Sequence, residues 1–360
     1  MRSVFTRASA AIDRSVVRFM ERRLTPRTPR IQGDDARAKL IELSAVYRDG
    51  TLGHPSPVFP EPTPAAIELL PQGDGPLGTQ VVDLTWASDY QPYHREARDY
   101  YLAIPENMTC HARWWTSDRG RPTIVMIHGW GADSHWVTFR SFLVPYWLRH
   151  GWDVAAFVLP FHGPRAPGVR RSGSLFPSPN PVRTNEGFAH AIYDLRVLAT
   201  FLRTRGASAV GAMGMSLGGY TTGLWASIAG PGDAGGADFA VAMIPAVSMS
   251  RLFWSHGETS PARAKAAKAG ITEDLLAEAF EVHAPTTRPP RVPRDRRFVI
   301  AGRGDRITPP EQAEALARHW DTEILWFEGG HLAQIGRSDA LRTVRRSLGA
   351  LGFEGRTFRS

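Results

Sequence analysis

The chain has 360 residues, 42 % hydrophobic and 22 % charged, enough for a sizeable soluble core in one extended α/β domain or in two domains. No apolar run approaches the roughly 20 residues of a helical membrane span. The formal net charge of +8 is carried almost wholly by arginine, the lysines being Lys39, Lys265 and Lys268. Arginine suits carboxylate and phosphate groups, but neither zinc-finger spacing nor an RNA-binding signature accompanies it, so no nucleic-acid partner is expected. The single cysteine, Cys110, excludes an intrachain disulfide framework and a cysteine-based metal cluster. It fits a reducing compartment, and a cytoplasmic protein is expected.

Residues 1–24 lack the apolar core of a secretory signal. Phe5, Ala8, Ile12, Val16 and Phe19 recur at helical spacing, with Arg7, Arg14, Arg18 and Arg22 on much of the remainder. Such a helix can lie on an anionic membrane as a peripheral contact. It can equally pack on the protein's own core or serve as a transit segment. Residues 1–50 therefore read as an N-terminal helical extension. Residues 51–120 read as a proline-rich arm leading into the first strands, because "HPSPVFPEPTP" and "PQGDGPLG" disfavour a helix.

From Arg121 onward, strands and helices alternate. "PTIVMIH", "WDVAAFVLP", "ASAVGAMGM", "FAVAMIPA", "RRFVIAG" and "TEILWFEG" are short β-rich apolar runs. Helical patterns fall between them, and Pro145 is expected to split the first. The alternation predicts a mostly parallel, doubly wound sheet with helices on both faces. The expected core is residues 121–246 and 296–351, with a helical cap insertion at 247–295.

The run "GAMGMSLGGYTTG" sets Ser216 between Gly214 and Gly218, after a predicted strand and before a predicted helix. That is the context of a nucleophile elbow: the strained turn lifts a serine hydroxyl into the crevice, and the glycines remove side chains that would clash. A serine needs a base, and the base an orienter. "FVIAGRGDRITPP" offers Asp305 just after one strand, and "ILWFEGGHLAQ" offers His331 just after the last. The backbone N–H groups of Leu217 and, in "MIHGWGAD", of Trp130 are the expected oxyanion donors. His128 reads as a structural residue of that loop.

"HGWG", "GMSLGG", "GRGDRITPP" and "GGHL" together make residues 122–351 resemble the α/β-hydrolase superfamily, in particular its serine esterases and lipases. "LPFHGPRAPG" more distantly resembles the branch labelled abhydrolase-domain-containing eighteen. The resemblance implies attack on the acyl carbonyl of a carboxylic ester, lipid-like acyl esters included, an acyl-enzyme, and release by water. An acyltransferase or thioesterase on the same residues stays open, as does a silent lipid-binding or scaffold protein. Dehalogenase chemistry would need a carboxylate in place of Ser216. His162 and Arg165 are expected near the mouth, binding an anionic group or fixing their loop. Phe161, Phe176, Phe253 and Trp254 would line an acyl pocket or fill the cap. No cofactor is implied, and no metal-ligand spacing such as H-E-x-x-H occurs.

Overall fold

The structure, a computed structural model, describes residues 4–23, 36–49, 51–117, 120–168, 170–178, 180–256 and 261–354, with side chains at all of these except 16, 18–23, 256, 261 and 262. Two helices come first, α1 (Val4–Arg23) and α2 (Ala36–Arg48). The strands are β1 (Glu68–Asp74), β2 (Gln80–Ala87), β3 (Thr109–Thr116), β4 (Thr123–Ile127), β5 (Asp153–Phe157), β6 (Val210–Met215), β7 (Ala240–Met243), β8 (Arg297–Gly302) and β9 (Ile324–Phe327). They form one sheet in the order β1-β2-β3-β5-β4-β6-β7-β8-β9. The pairings of β1, β2, β3 and β5 with one another are antiparallel, and β5-β4-β6-β7-β8-β9 is parallel throughout. The proline-rich stretch thus stays extended but supplies an edge strand, exposed along its whole length.

The central strands β4, β5, β6 and β7 are fully buried because helices cover both faces. Short helices α3 (Arg98–Leu102) and α4 (Pro105–Met108) lead into β3; α5 (His135–Ser141) and α6 (Val144–Arg149) follow β4. Leu143, between α5 and α6, takes a left-handed conformation (φ 55°), and Pro145 stands in the first turn of α6. Proline has no N–H to extend a helix, so the expected split occurs here. The long helix α7 (Pro181–Thr204) precedes β6, and α8 (Leu217–Ile228) follows it. After β7 the chain leaves the sheet through α9 (Met249–His256), α10 (Pro261–Lys268) and α11 (Glu273–Phe280), then returns through β8, α12 (Pro310–Trp320), β9 and α13 (Arg337–Ala350).

Side chains alternate across the strands. Ile124, Met126, Val154, Met213, Val241 and Ile300 pack with α6 and α13. Val125, Ile127, Phe157, Ala212, Ala242 and Val299 pack with α7, α8 and α12. The chain leaves β4 toward β5 on one side and recrosses to β6 on the other. That reversal opens a crevice at the carboxyl ends of β4 and β6, where ligands bind in open α/β sheets.

Candidate active site

Ser216 is the hinge between β6 and α8. Its backbone stands at φ 59°, ψ −114°, a region that L-residues avoid. The turn closes only because glycines surround it. A Cβ on Gly214 would lie 1.9 Å from the carbonyl oxygen of Gly218, and one on Gly218 would lie 1.9 Å from that of Ile127. Ser216 N–H donates to Met243 O at 3.0 Å, which ties the elbow to β7. Leu217 is the first residue of α8, so its N–H is among the first-turn amides without an intrahelical acceptor.

The loop after β4 lies alongside. A Cβ on Gly129 would stand 3.4 Å from Ser216 Cβ, so Trp130 is one residue from contact with the elbow. Its indole N–H donates to Gly173 O at 2.7 Å, and its side chain is part exposed. His128 Nδ1–H donates to Gly129 O at 2.8 Å, while its Nε2 accepts from Leu159 N–H at 3.1 Å. Burial lowers its pKa to about 4. The neutral ring thus braces the β4 loop against the end of β5.

Asp305 is 1 % exposed and His331 9 % exposed. His331 Nδ1–H donates to Asp305 Oδ2 at 2.8 Å. The other carboxylate oxygen accepts from the N–H groups of Ile307 and Thr308, both at 2.8 Å. The Thr308 hydroxyl lies 3.0 Å from Oδ2 and 2.9 Å from Ile244 O. Asp305 is therefore held from four directions and fixes the imidazole with Nε2 free to act. Gln334 joins this loop to the elbow, its Nε2–H donating to His331 O at 3.0 Å and to Met215 Sδ at 3.3 Å. Among the described residues no hydrogen bond joins Ser216 Oγ to His331; such bonds commonly tighten only in a reacting complex.

A second carboxylate reaches this loop from the other end of the chain. Asp13 of α1 is fully buried. It accepts from the N–H groups of His331 (2.8 Å), Arg306 (3.1 Å) and Leu332 (3.2 Å). One side chain thus clamps the loops that carry Asp305 and His331. Burial alone would disfavour the imidazolium of His331. The charge and hydrogen bond of Asp305, with the charge of Asp13, outweigh it and raise the His331 pKa above its ordinary value. Asp13 was not singled out in the sequence, where it is an isolated acid in a basic helix.

Other expected site residues stand elsewhere. Arg165 is fully buried. It donates to Asp194 Oδ2 (2.8 Å), to Asn107 O (2.8 and 3.1 Å) and to Val158 O (3.2 Å). Its donors are used internally, so it fixes the loop after β5 and does not face a ligand. His162 is likewise fully buried, with Nδ1–H on Pro160 O at 2.9 Å. Burial, aided by His128, lowers its pKa to about 3, so the ring is neutral and enclosed behind the loop. Phe161 is 1 % exposed and packs edge-on to Tyr101, and Phe176 is buried against Phe188; both are core. Phe253 and Trp254 remain part exposed on α9, Phe253 against Phe280 and Trp254 beneath Arg263. Cys110, His190 and Asp194 bring metal-ligand atom types together. The Arg165 guanidinium on Asp194 already supplies the positive charge there, so the group does not suit a cation.

No family model matches the sequence. Two uncharacterized proteins of Mycobacterium tuberculosis are similar to it. One is 28 % identical over 312 residues, covering 83 % of this chain and 71 % of the relative. The other is 30 % identical over 240 residues, covering 63 % of this chain and 54 % of the relative, about half its length. Among solved structures, acetyl xylan esterase 1 from Thermoanaerobacterium sp. superposes with a TM-score of 0.54 at 15 % identity, over 85 % of this chain and 93 % of that one. An acetyl xylan esterase from Paenibacillus sp. gives 0.54 at 13 % identity, over 91 % of this chain and 98 % of that one. At such identities the likeness is one of fold. With its mostly parallel sheet, helices on both faces and serine elbow after β6, the chain has the α/β-hydrolase fold.

Proposed function

We propose that this chain hydrolyses carboxylic esters through an acyl-enzyme on Ser216. The observation that carries the reading is the strained Ser216 elbow beside a loop whose His331 is held at 2.8 Å by buried Asp305. In the proposed reaction His331 Nε2 takes the Ser216 proton as Oγ attacks the acyl carbon. Asp305 stays ionised, holds the tautomer and stabilises the imidazolium. The carbonyl oxygen becomes an oxyanion that the N–H groups of Leu217 and Trp130 receive. The imidazolium then returns its proton to the departing alkoxide, which leaves as the alcohol. Water repeats the sequence on the acyl-enzyme and frees the carboxylic acid and the serine. The solved structures of similar fold are named as acetyl xylan esterases, so short acyl esters are the first substrates to try. Trp130, part exposed one residue from the elbow, is the aromatic surface that longer, lipid-like acyl groups would meet.

The test is hydrolysis of p-nitrophenyl esters of graded acyl length by the parent and by Ser216→Ala. Loss of turnover on the order of 10⁶-fold, with folding intact, is expected. Serine-independent turnover, or no labelling of Ser216 by a fluorophosphonate, would overturn the reading.

A further inference from the structure

An amphipathic helix on a protein surface ordinarily turns its apolar stripe inward. Helix α1 does the reverse. Its docked edge is Thr6, Ser9, Ala10 and Asp13, each at most 4 % exposed. Thr6 Oγ1 donates to Glu328 at 2.7 Å, Ser9 Oγ to Ala333 O at 3.3 Å, and Asp13 gathers the three loop amides already described. The apolar stripe is left outside: Val4 is 79 % exposed, Phe5 58 % and Ile12 47 %. Val16 and Phe19, which continue the stripe in sequence, have side chains outside the described set. The His331 loop extends this apolar surface, with Leu332 52 % and Ile335 43 % exposed beside the docked helix.

Exposed apolar residues that cluster on one face mark an interaction site. The charge beside them indicates the partner. Arg7 and Arg14 are exposed on the same outer half of the helix, and the only acid between Val4 and Val17, Asp13, is turned inward. The outer surface of this segment is therefore apolar and positive, with no compensating acid. No described helix is long and apolar enough to cross a membrane, so α1 suits a position along an interface and not through it. We propose that the outer face of α1, extended by Leu332 and Ile335, docks on an anionic lipid bilayer. Because Asp13 ties α1 to the His331 loop, docking there holds the Ser216 crevice close to the lipid surface. Esters carried in or near a membrane would then be the substrates presented to it, a consequence that rests on the ester-hydrolase reading; the docking itself does not.

The experiment is co-sedimentation of the full chain with vesicles of phosphatidylcholine alone and of phosphatidylcholine mixed with phosphatidylglycerol. The variants are Phe5→Glu with Ile12→Glu, and Arg7→Gln with Arg14→Gln. All four positions face solvent, and unchanged circular dichroism establishes that each variant is folded. The parent should bind the anionic vesicles, release them in high salt and bind the neutral ones at least tenfold more weakly. Each arginine near such a surface contributes about fivefold to binding, so the arginine pair should lose more than tenfold, and the glutamate pair at least as much. No binding by the parent, or binding by either variant that equals the parent's, overturns the proposal. So does a parent dimer that the glutamate pair converts to monomer with no vesicle binding in either form, since a second copy would then cover the stripe. Vesicle binding is read without any ester, so loss of activity in Ser216→Ala leaves this result independent.

Discussion

Asp13 shows most directly how one side chain shapes the candidate site. It adds a second negative charge near an imidazole already paired with Asp305. The other groups facing His331 are the Thr308 hydroxyl, 3.0 Å from Nδ1, and Arg306, whose guanidinium is turned onto the Asp305 carbonyl oxygen at 2.9 Å. With the His331 pKa raised, the free base accumulates only above the ordinary histidine value of about 6.5. The acid limb of kcat/KM should therefore lie above that pH. Asp13→Asn keeps an acceptor for the loop amides and removes the charge, so the limb should move to lower pH while the Ser216 dependence persists. A limb that stays in place would assign Asp13 a purely structural part. The linkage to stability has the same origin. A raised folded-state pKa stabilises the protein fully below the unfolded value, and the contribution is lost as pH rises through the folded one. Gly218 is the second residue-scale case. A methyl there would meet Ile127 O at 1.9 Å, so Gly218→Ala should destabilise by about 3 kcal/mol or more, read by urea unfolding, and abolish fluorophosphonate labelling. A stable, labelled variant would contradict the elbow geometry.

At the scale of elements, side-chain caps set the starts of α7 and α11, the latter through Thr272 accepting from Leu275 N–H. Asn180 caps α7 by accepting from Arg183 N–H at 3.1 Å, with Pro181 at the first helical position. Asn180→Ala should cost about 1 kcal/mol in chemical unfolding and leave ester turnover unchanged. The insertion after β7 is held from two sides. Gln312 Oε1 of α12 accepts from Val247 and Ser248 N–H groups at 2.8 and 2.7 Å, and Asn185 of α7 donates to Ala279 O at 3.0 Å. Helix α11 also packs on α2 through Leu40, Leu275 and Ala279, so the N-terminal extension and the insertion share one seam. The alternation of short apolar runs and helical patterns after Arg121 was readable locally, because burial on both faces demands continuous apolar strands. The orientation of α1 was not. Its periodicity marked an apolar stripe, but it is the polar edge of Thr6, Ser9 and Asp13 that finds hydrogen-bond partners on the loops carrying Asp305 and His331.

Across the whole molecule, buried polar networks join segments far apart in the chain. Glu186 of α7 accepts from Tyr90 Oη at 2.5 Å, from Tyr47 Oη, and from the N–H groups of Tyr93 and His94 at 2.9 and 3.0 Å. This draws α2 and the segment after β2 onto the core. The Arg165–Asp194 pair is equally enclosed. Burial opposes the Asp194 carboxylate, but the charges of His190 and Arg165 prevail and hold its pKa well below the usual range. Its stabilisation is complete above the ordinary carboxylate pKa and lost only as pH falls through the lower folded value. Arg165→Met would strand that charge and should cost about 3–5 kcal/mol in unfolding. If any folded protein remains and the ester-hydrolase proposal holds, its relative KM for anionic and neutral esters should match the parent's. A selective rise for the anionic ester would return Arg165 to the mouth.

The sequence by itself determined the fold class, the alternation of strand and helix, the glycine-framed serine, and an acid and a histidine each just past a strand. These depend on local periodicity and turn sterics, which a few neighbouring residues express. Only the tertiary structure decided that Asp13 reaches His331 across 318 positions, that Arg165 and His162 are enclosed, and that α1 docks by its polar edge. Burial and hydrogen-bond partnership are properties of packed neighbours, and packing brings together residues that no spacing in the chain relates.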